Sequence, residues 1–458
     1  SRGAADGQEA GTAVPVYLGE CEVRGGVRCL RHVMTSKNAF YTLERKKFRN
    51  RLNYFLHPSG NISLPNQLKG RERQMKQMLD CFETPGSHAF IWGPRGVGKT
   101  SLGHTACAEF SDQVTLTAAI ACEKTTSFSS LINDLFRSVF HDNKVILKDK
   151  AVKGSLGLSG LTLSVEAGGI KEAIEIDSPN QAVALLNTIF AKKFFSYVTP
   201  TVIIDEFDRL DNKQTFEMLS SVLKQLSVEG LDLQFVFCGV AKNLDELLGS
   251  HESVERYVYG VELPPLTHDA IWEIISDVEE EFGVSFHRGQ RIRISQIAGG
   301  YAGFAHLILK NILMAAFEDN FENQEITESL FKIGIHESAQ QAATRLKTAY
   351  DNAIKRGTDR YIEVLWALAN DEHFDRQFKS IVTDYKKIMD LRPHREAYDV
   401  EKNNGQDLRN ALNNLSERGF LKKGKTGWYE FVDPMLRSYV RLVAEREGVE
   451  LSDENFPR

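Results

Sequence analysis

The sequence has no apolar stretch near the ~18 residues needed to cross a bilayer. Its first thirty residues hold no continuous apolar core of the kind that marks a secretory signal. No membrane partner is expected, and the expected location is cytoplasmic. Cysteine is sparse: Cys21, Cys29, Cys81, Cys107, Cys122 and Cys238 are scattered without any C-x-x-C pair. That excludes zinc-ribbon and redox-motif spacing and reads as reduced, mostly buried thiols. Neither sign of charge dominates. The 56 Lys and Arg against 62 Asp and Glu leave −6, so any surface for a polyanion has to be local. Internal repeats and low-complexity tracts are missing too, which leaves no solenoid to explain.

What is there suits a folding chain, with 42% hydrophobic and 26% charged residues. Its 458 residues exceed one typical core, and roughly 100–200 residues per domain predicts two or three units. Residues 1–33, rich in Gly and Ala and ending just before Met34, are set aside from fold reasoning. Residues 1–63 read as an N-terminal extension, expected to be partly disordered. Within it, Lys37, Arg45, Lys46, Lys47, Arg49 and Arg51 face the single acid Glu44, with Phe40, Tyr41 and Phe48 interleaved. Such a segment either touches nucleic acid or a neighbouring subunit, or is an amphipathic stretch with a solvated basic face.

From 64 to 265 short β-rich runs alternate with helical patterns, which predicts an α/β fold with a parallel sheet covered on both faces. The strands expected are 88–92, 114–122, 201–207, 233–240 and 257–263. An inserted β-hairpin is expected near 153–169, where leucines alternate with small or polar residues around glycines. Residues 266–355 are predominantly helical by apolar spacing and form a lid. Residues 359–446 give three helices, a turn-punctuated β pattern and a last helix, the order of a winged helix, before a tail at 447–458.

The run Gly93-Pro94-Arg95-Gly96-Val97-Gly98-Lys99-Thr100 fits G-x-x-x-x-G-K-[ST] in full, after the apolar Ala89-Phe90-Ile91-Trp92 and before a helical stretch opening at Ser101. Glycines let the backbone curl so that its N–H groups face a polyphosphate, and the positive end of the following helix adds a fixed attraction. In this setting Lys99 neutralises the terminal phosphates of ATP and the Thr100 hydroxyl ligates Mg²⁺. Thr201-Val202-Ile203-Ile204 runs into Asp205, Glu206, Phe207 and Asp208. A buried strand ending in charge needs a cation or partners. Asp205 is accordingly the carboxylate expected just behind the direct Mg²⁺ ligands, and Glu206 the group that orients or deprotonates the attacking water. Asp208 and Asp211 receive no catalytic role.

On these motifs the segment from Leu64 to about Asn320 resembles the AAA+ ATPases, within them the clade of origin-recognition and archaeal replication initiators, and the winged-helix tail extends the likeness. The resemblance implies that the Leu64–Glu72 box, containing Gly70-Arg71-Glu72, contacts adenine, with Leu64 or Leu68 packed on the base. It also implies a polar first sensor at the tip of the fourth core strand, at Asn243 or, one residue earlier, Lys242. It places an arginine finger at Arg256, whose alternative is an ordinary exposed or ion-paired arginine. Where the clade has a second-sensor arginine, this chain reads Gly299-Gly300-Tyr301-Ala302-Gly303-Phe304-Ala305-His306. His306 is the one cationic candidate, its alternative a packed neutral histidine.

The expected function is an ATP-hydrolysing AAA+ protein that assembles with copies of itself or related subunits. Nucleotide state would be coupled to a DNA-engaging assembly in initiation, transposition or mobile-element defence. Duplex DNA would be met by helix 406–418, carrying Arg409, Asn410, Asn413 and Asn414, and by a wing at 422–428 carrying Lys422, Lys423 and Lys425. The alternative is a STAND-like signalling NTPase whose winged helix is structural or protein-binding.

Overall fold

The computed structural model describes residues 44–58, 67–110, 117–142, 154–158, 161–166, 169–170, 175–190, 200–229, 233–249, 252–319, 324–355, 360–371 and 373–451. Leu64 and residues 1–43 lie outside them. The N-terminal half comprises α1 (Arg45–Phe55), α2 (Glu72–Phe82), β1 (His88–Trp92), α3 (Lys99–Phe110), β2 (Thr117–Ala121), α4 (Phe128–Asp142), the short strands β3 (Gly154–Leu158), β4 (Leu161–Glu166) and β5 (Gly169–Ile170), α5 (Pro179–Phe190), β6 (Thr201–Asp205), α6 (Lys213–Glu229), β7 (Gln234–Gly239), α7 (Ala241–Gly249) and β8 (Val258–Glu262).

Five of these strands form one parallel sheet in the order β2-β6-β7-β1-β8. Every neighbour in that order requires a crossover, which the intervening helices supply. Strand side chains alternate between faces, so the apolar runs split cleanly. Ala89, Ile91, Ile203, Val236 and Cys238 join α2 and α3 on one face, while Phe90, Val202, Ile204, Phe235 and Phe237 join α4, α5 and α6 on the other. Where the insert is described, β3 pairs with β4 and β4 with β5, both antiparallel. Among the described cysteines, Cys81, Cys107, Cys122 and Cys238 are free and buried, and burial pushes the first three thiols up to about 12.

The C-terminal half holds α8 (His268–Phe282), α9 (Arg288–Ala298), α10 (Ala302–Glu318), α11 (Glu328–Gln341), α12 (Thr344–Ile354), α13 (Tyr361–Ala369), β9 (Arg376–Gln377), α14 (Phe378–Asp390), α15 (Gln406–Glu417), β10 (Leu421–Lys423), β11 (Trp428–Phe431) and α16 (Pro434–Arg446). Its three short strands pair antiparallel in the order β10-β11-β9.

The boundary read between 355 and 359 does not separate two cores. α16 packs against α9, α11, α12 and α13, and Leu436, Val440 and Val443 belong to the same apolar cluster as Ile297, Leu313 and Ile91. Polar contacts close this seam: Arg441 Nε donates to Ala369 O at 2.7 Å and Ser438 Oγ to Ala298 O at 3.0 Å.

The basic N-terminal segment is also committed to this half. α1 buries Phe48 and Leu52, Phe48 stacks on Phe317 at 4.4 Å, and Arg51 Nε donates to Glu281 at 2.8 Å while its guanidinium lies over the Phe282 ring. Of the readings open for 37–51, the amphipathic helix is the one seen across 45–51, with two of its arginines (Arg45 and Arg51) paired to lid acids.

A buried histidine sets an acid limit on this fold. His88 is 1% exposed, Nδ1 accepts from the Phe235 N–H at 3.3 Å, and burial holds the ring down to about 4. The unfolded chain takes up a proton below about 6.5 and the folded chain does not until about 4, so stability is lost as pH falls through that window. Thermal melting followed from pH 7 to pH 4 should show a falling midpoint, shallower in His88→Gln, which keeps an acceptor but does not titrate. Equal slopes would contradict the assignment.

Candidate active site

The phosphate loop leaves β1 at Gly93, where an added Cβ would sit 2.2 Å from Leu263 O; only glycine lets the loop pass the end of β8 so closely. At Gly96 φ is +84° and a Cβ would meet Met435 Sδ at 2.5 Å. Lys99 opens α3, and its Nζ donates to Gly93 O at 2.9 Å and Pro94 O at 3.0 Å. Those bonds fix the curl that turns the loop's N–H groups inward. Burial lowers the lysine pKa, opposed chiefly by Asp208 and also by Asp205.

Across the cleft, Asp205 ends β6 with both carboxylate oxygens engaged. Oδ2 accepts from the Thr100 hydroxyl at 2.7 Å and Oδ1 from the Glu206 N–H at 2.8 Å. Glu206 takes the left-handed conformation, φ 51° and ψ 33°, a region that costs a non-glycine residue of order 1–3 kcal/mol and persists only where surroundings enforce it. The enforcement comes from the next residue. Phe207 is fully buried, edge-on to Phe90 at 5.6 Å and to Phe216 at 5.2 Å. With Phe207 pulled into the sheet's far face, Glu206 is left facing the cleft, where its Oε1 meets Arg209 Nη2 at 2.9 Å.

The cleft has a volume near 400 Å³. The phosphate loop from Arg95 to Ser101 lines one part together with Asp205, Glu206, Asp208 and Arg209; Leu68, Leu266, Ile274 and Tyr301 line the rest. A polar, cationic end for phosphates thus continues into an apolar end with the character of a base pocket. Mg²⁺ fits the donor set. Thr100 and Asp205 present hard oxygens in mutual contact beside the phosphate loop, which suits an ion that takes its remaining ligands from water and substrate phosphate. Among the described residues no group of three or more His, Cys, Asp or Glu gathers to hold a metal by itself.

Residues outside the phosphate loop and the acidic strand also reach the cleft, among them Arg71 of the Gly70-Arg71-Glu72 run. Arg71 is 4% exposed, donates to Val97 O at 3.2 Å, and is lowered by burial to about 10, so it stays charged at neutral pH. It braces the loop from behind. Tyr301, from the Gly299–His306 run, and Arg209, His57 and Met435 are the others; of the last three Arg209 alone carried a local signal, its spacing from Glu206.

Other expected site residues lie elsewhere. Neither Asn243 nor Lys242 lines the cleft. β7 ends at Gly239 and α7 starts at Ala241, so residue 243 is already inside a helix turn. Asn243 is buried, and Lys242 is exposed and paired with Glu246 at 3.2 Å. Arg256 ends a short 3₁₀ helix, exposed and outside its own cleft. His306 does line the cleft, but as a 4% exposed ring held by burial to about 4. It is neutral, which matches the packed-histidine alternative for this position and not a cationic second sensor.

In the C-terminal module Arg409 stacks over Phe378 at 3.9 Å, Asn413 Oδ1 accepts from Tyr429 Oη at 3.0 Å, and Lys422 pairs with Glu430. Asn410, Asn414, Lys423 and Lys425 are exposed. No helix among the described residues is long and apolar enough to cross a membrane.

Residues 67–236 match the family described as the AAA ATPase domain. No curated protein matches the sequence. Among solved structures, the Walker-type ATPase PABY2304 of Pyrococcus abyssi is similar at 16% identity and TM-score 0.50, over 84% of this chain and 99% of that one. The ORC2 protein of Aeropyrum pernix aligns at 12% identity and TM-score 0.46, over 86% of this chain and 98% of its own. Cdc6p from Pyrobaculum aerophilum does so at 15% and 0.42, over 83% and 96%. At these identities the first likeness speaks to the fold alone.

Two substitutions separate binding from chemistry at this site. Lys99→Ala should abolish ATP binding in a titration. Glu206→Gln should retain binding and lose turnover by on the order of 10²–10⁴, the usual contribution of a positioned general base. Unchanged turnover in Glu206→Gln would remove Glu206 from the chemistry.

Proposed function

We propose that this chain, whose residues 67–236 match the AAA ATPase domain family, hydrolyses Mg²⁺-ATP as an oligomer and uses nucleotide state to control a C-terminal winged-helix module that engages duplex DNA. The observation that carries the catalytic part is the contact of Thr100 with Asp205 beside Glu206, in the cleft that the phosphate loop closes. Lys99 exchanges its two loop carbonyls for phosphate oxygens. Glu206, released from Arg209, accepts a proton from the water whose oxygen attacks the γ-phosphorus, and ADP leaves with the pair of electrons from the broken bond.

The oligomer is supported by Arg256, which is exposed and outside its own cleft, as a group reaching a neighbour's γ-phosphate must be. Mixing inactive Arg256→Ala with inactive Glu206→Gln should restore turnover at hybrid interfaces, where one subunit supplies the base and its neighbour the arginine. No recovery at any ratio, in oligomers verified as mixed, would place the finger in cis or nowhere.

The DNA part rests on the helix and strand order from α13 to β11 and on the exposed lysines of the wing. Replacing Lys422, Lys423 and Lys425 by alanine should reduce the slope of log affinity for duplex against log salt by about 0.9 for each phosphate no longer neutralised. An unchanged slope would leave the module a protein-binding or structural element.

One observation favours the signalling alternative. The N-terminal end of α16 sits on the phosphate loop, with Met435 against Gly96 and Asp433 paired to Arg345. Behind it Arg437 is 3% exposed over the Phe374 ring, its Nε and Nη2 without a hydrogen-bond partner among the described residues, and burial drives its pKa well down. A buried guanidinium with two nitrogens left without hydrogen bonds is costly, which suits a closed arrangement made to open.

A further inference from the structure

Two histidines meet at the apolar end of the cleft. His57 follows α1 and His306 lies in the second turn of α10; the two segments touch because residue 303 is glycine, where an added Cβ would sit 3.0 Å from Pro58 O. The backbone N–H of His57 donates to His306 Nδ1 at 3.2 Å, and the ring centroids lie 6.4 Å apart. Since Nδ1 accepts, it carries no proton, and the neutral His306 ring carries its hydrogen on Nε2. That Nε2 is buried with no partner among the described residues, and so is Nε2 of His57. Both side chains line the cleft. Leaving a buried donor unsatisfied costs about 1–3 kcal/mol, so a fixed N–H in a binding cleft points to a ligand acceptor.

We propose that His306 reads the base of the bound nucleotide, its Nε2–H donating to a ring nitrogen of adenine, with the His57 imidazole as the second contact. This deepens the nucleotide reading above and rests on it. The base lies between Leu68, Ile274 and Tyr301, and the histidine donor selects the purine edge turned toward α10. His57 adapts to either a donor or an acceptor on the base, because its tautomer is not set by an intramolecular partner at Nε2. Arginine at 306 could not serve this role, since five donors and a charge do not match one ring nitrogen in an apolar pocket.

The test removes the acceptor from the ligand as well as the donor from the protein. Isothermal titration of the full chain, with magnesium, compares ATP with 1-deaza-, 3-deaza- and 7-deaza-ATP, each of which replaces one ring nitrogen by C–H. One analogue should bind about 3- to 10-fold more weakly than ATP, the value of one hydrogen bond. That difference should vanish in His306→Leu and return in His306→Gln, whose amide nitrogen reaches the position of Nε2. Three analogues that bind the wild type as ATP does would overturn the proposal, and so would a penalty that survives in His306→Leu. The wild-type series decides the matter even if His306→Leu fails to fold. If the wild type binds no ATP at all, the nucleotide reading falls and this inference falls with it.

Discussion

The site hangs on what happens at the end of one buried strand. β6 delivers Asp205 into contact with Thr100, and the chain then has to turn without losing the carboxylate that follows. It does so by forcing Glu206 into a left-handed conformation and anchoring Phe207 in a cluster of phenylalanines on the opposite face of the sheet. Strand alternation alone would leave residues 205 and 207 on one face; the left-handed turn at Glu206 sends Phe207 to the other, so Asp205 feeds the cleft and Phe207 the core. Loss of the Phe207 ring would cost about 3–5 kcal/mol as a core truncation, and it would also free the geometry that presents Glu206. Stability and chemistry are therefore coupled through a single aromatic side chain.

A second constraint is continuity. The apolar cluster that begins under the phosphate loop runs through the lid to α16 without a break, and α1 closes its outer side through Phe48, Leu52 and Arg51. The cleft is thus roofed by elements from three regions of the sequence: His57 after α1, Tyr301 and His306 in the lid, and Met435 at the start of α16. Any movement of the C-terminal module pulls directly on residues that line the nucleotide site. No long relay is needed, because Met435 already rests on Gly96.

How much of this was legible in the sequence follows from how local each feature is. The phosphate loop, the acidic strand end and the alternating core were visible because each is a contiguous run with its own period or spacing. The β-rich insert was visible for the same reason. The first sensor was carried to Asn243 or Lys242, and whether either residue reaches the cleft depends on where β7 stops. Val240-Ala241-Lys242-Asn243 reads equally well as strand tip or helix start, and the structure begins α7 at Ala241. His306 was found with two readings open, and choosing between them depends on burial, which depends on segment 57–58 arriving from about 250 residues away. Met435 carried no usable signal for the same reason. The lid at 266–355 and the winged helix at 359–446 were read as successive units from spacing and element order; their shared apolar cluster was not legible, because apolar faces of α9 and α16 distant in sequence are indistinguishable from self-contained cores until they meet.

The central claim is that this cleft hydrolyses ATP with magnesium and that the C-terminal module feels the result. The most direct measurement is steady-state phosphate release by the full chain, with and without magnesium and with and without duplex DNA. The account predicts turnover that requires magnesium and changes when duplex is added. Phosphate release that is absent, or that proceeds equally without magnesium, would contradict it.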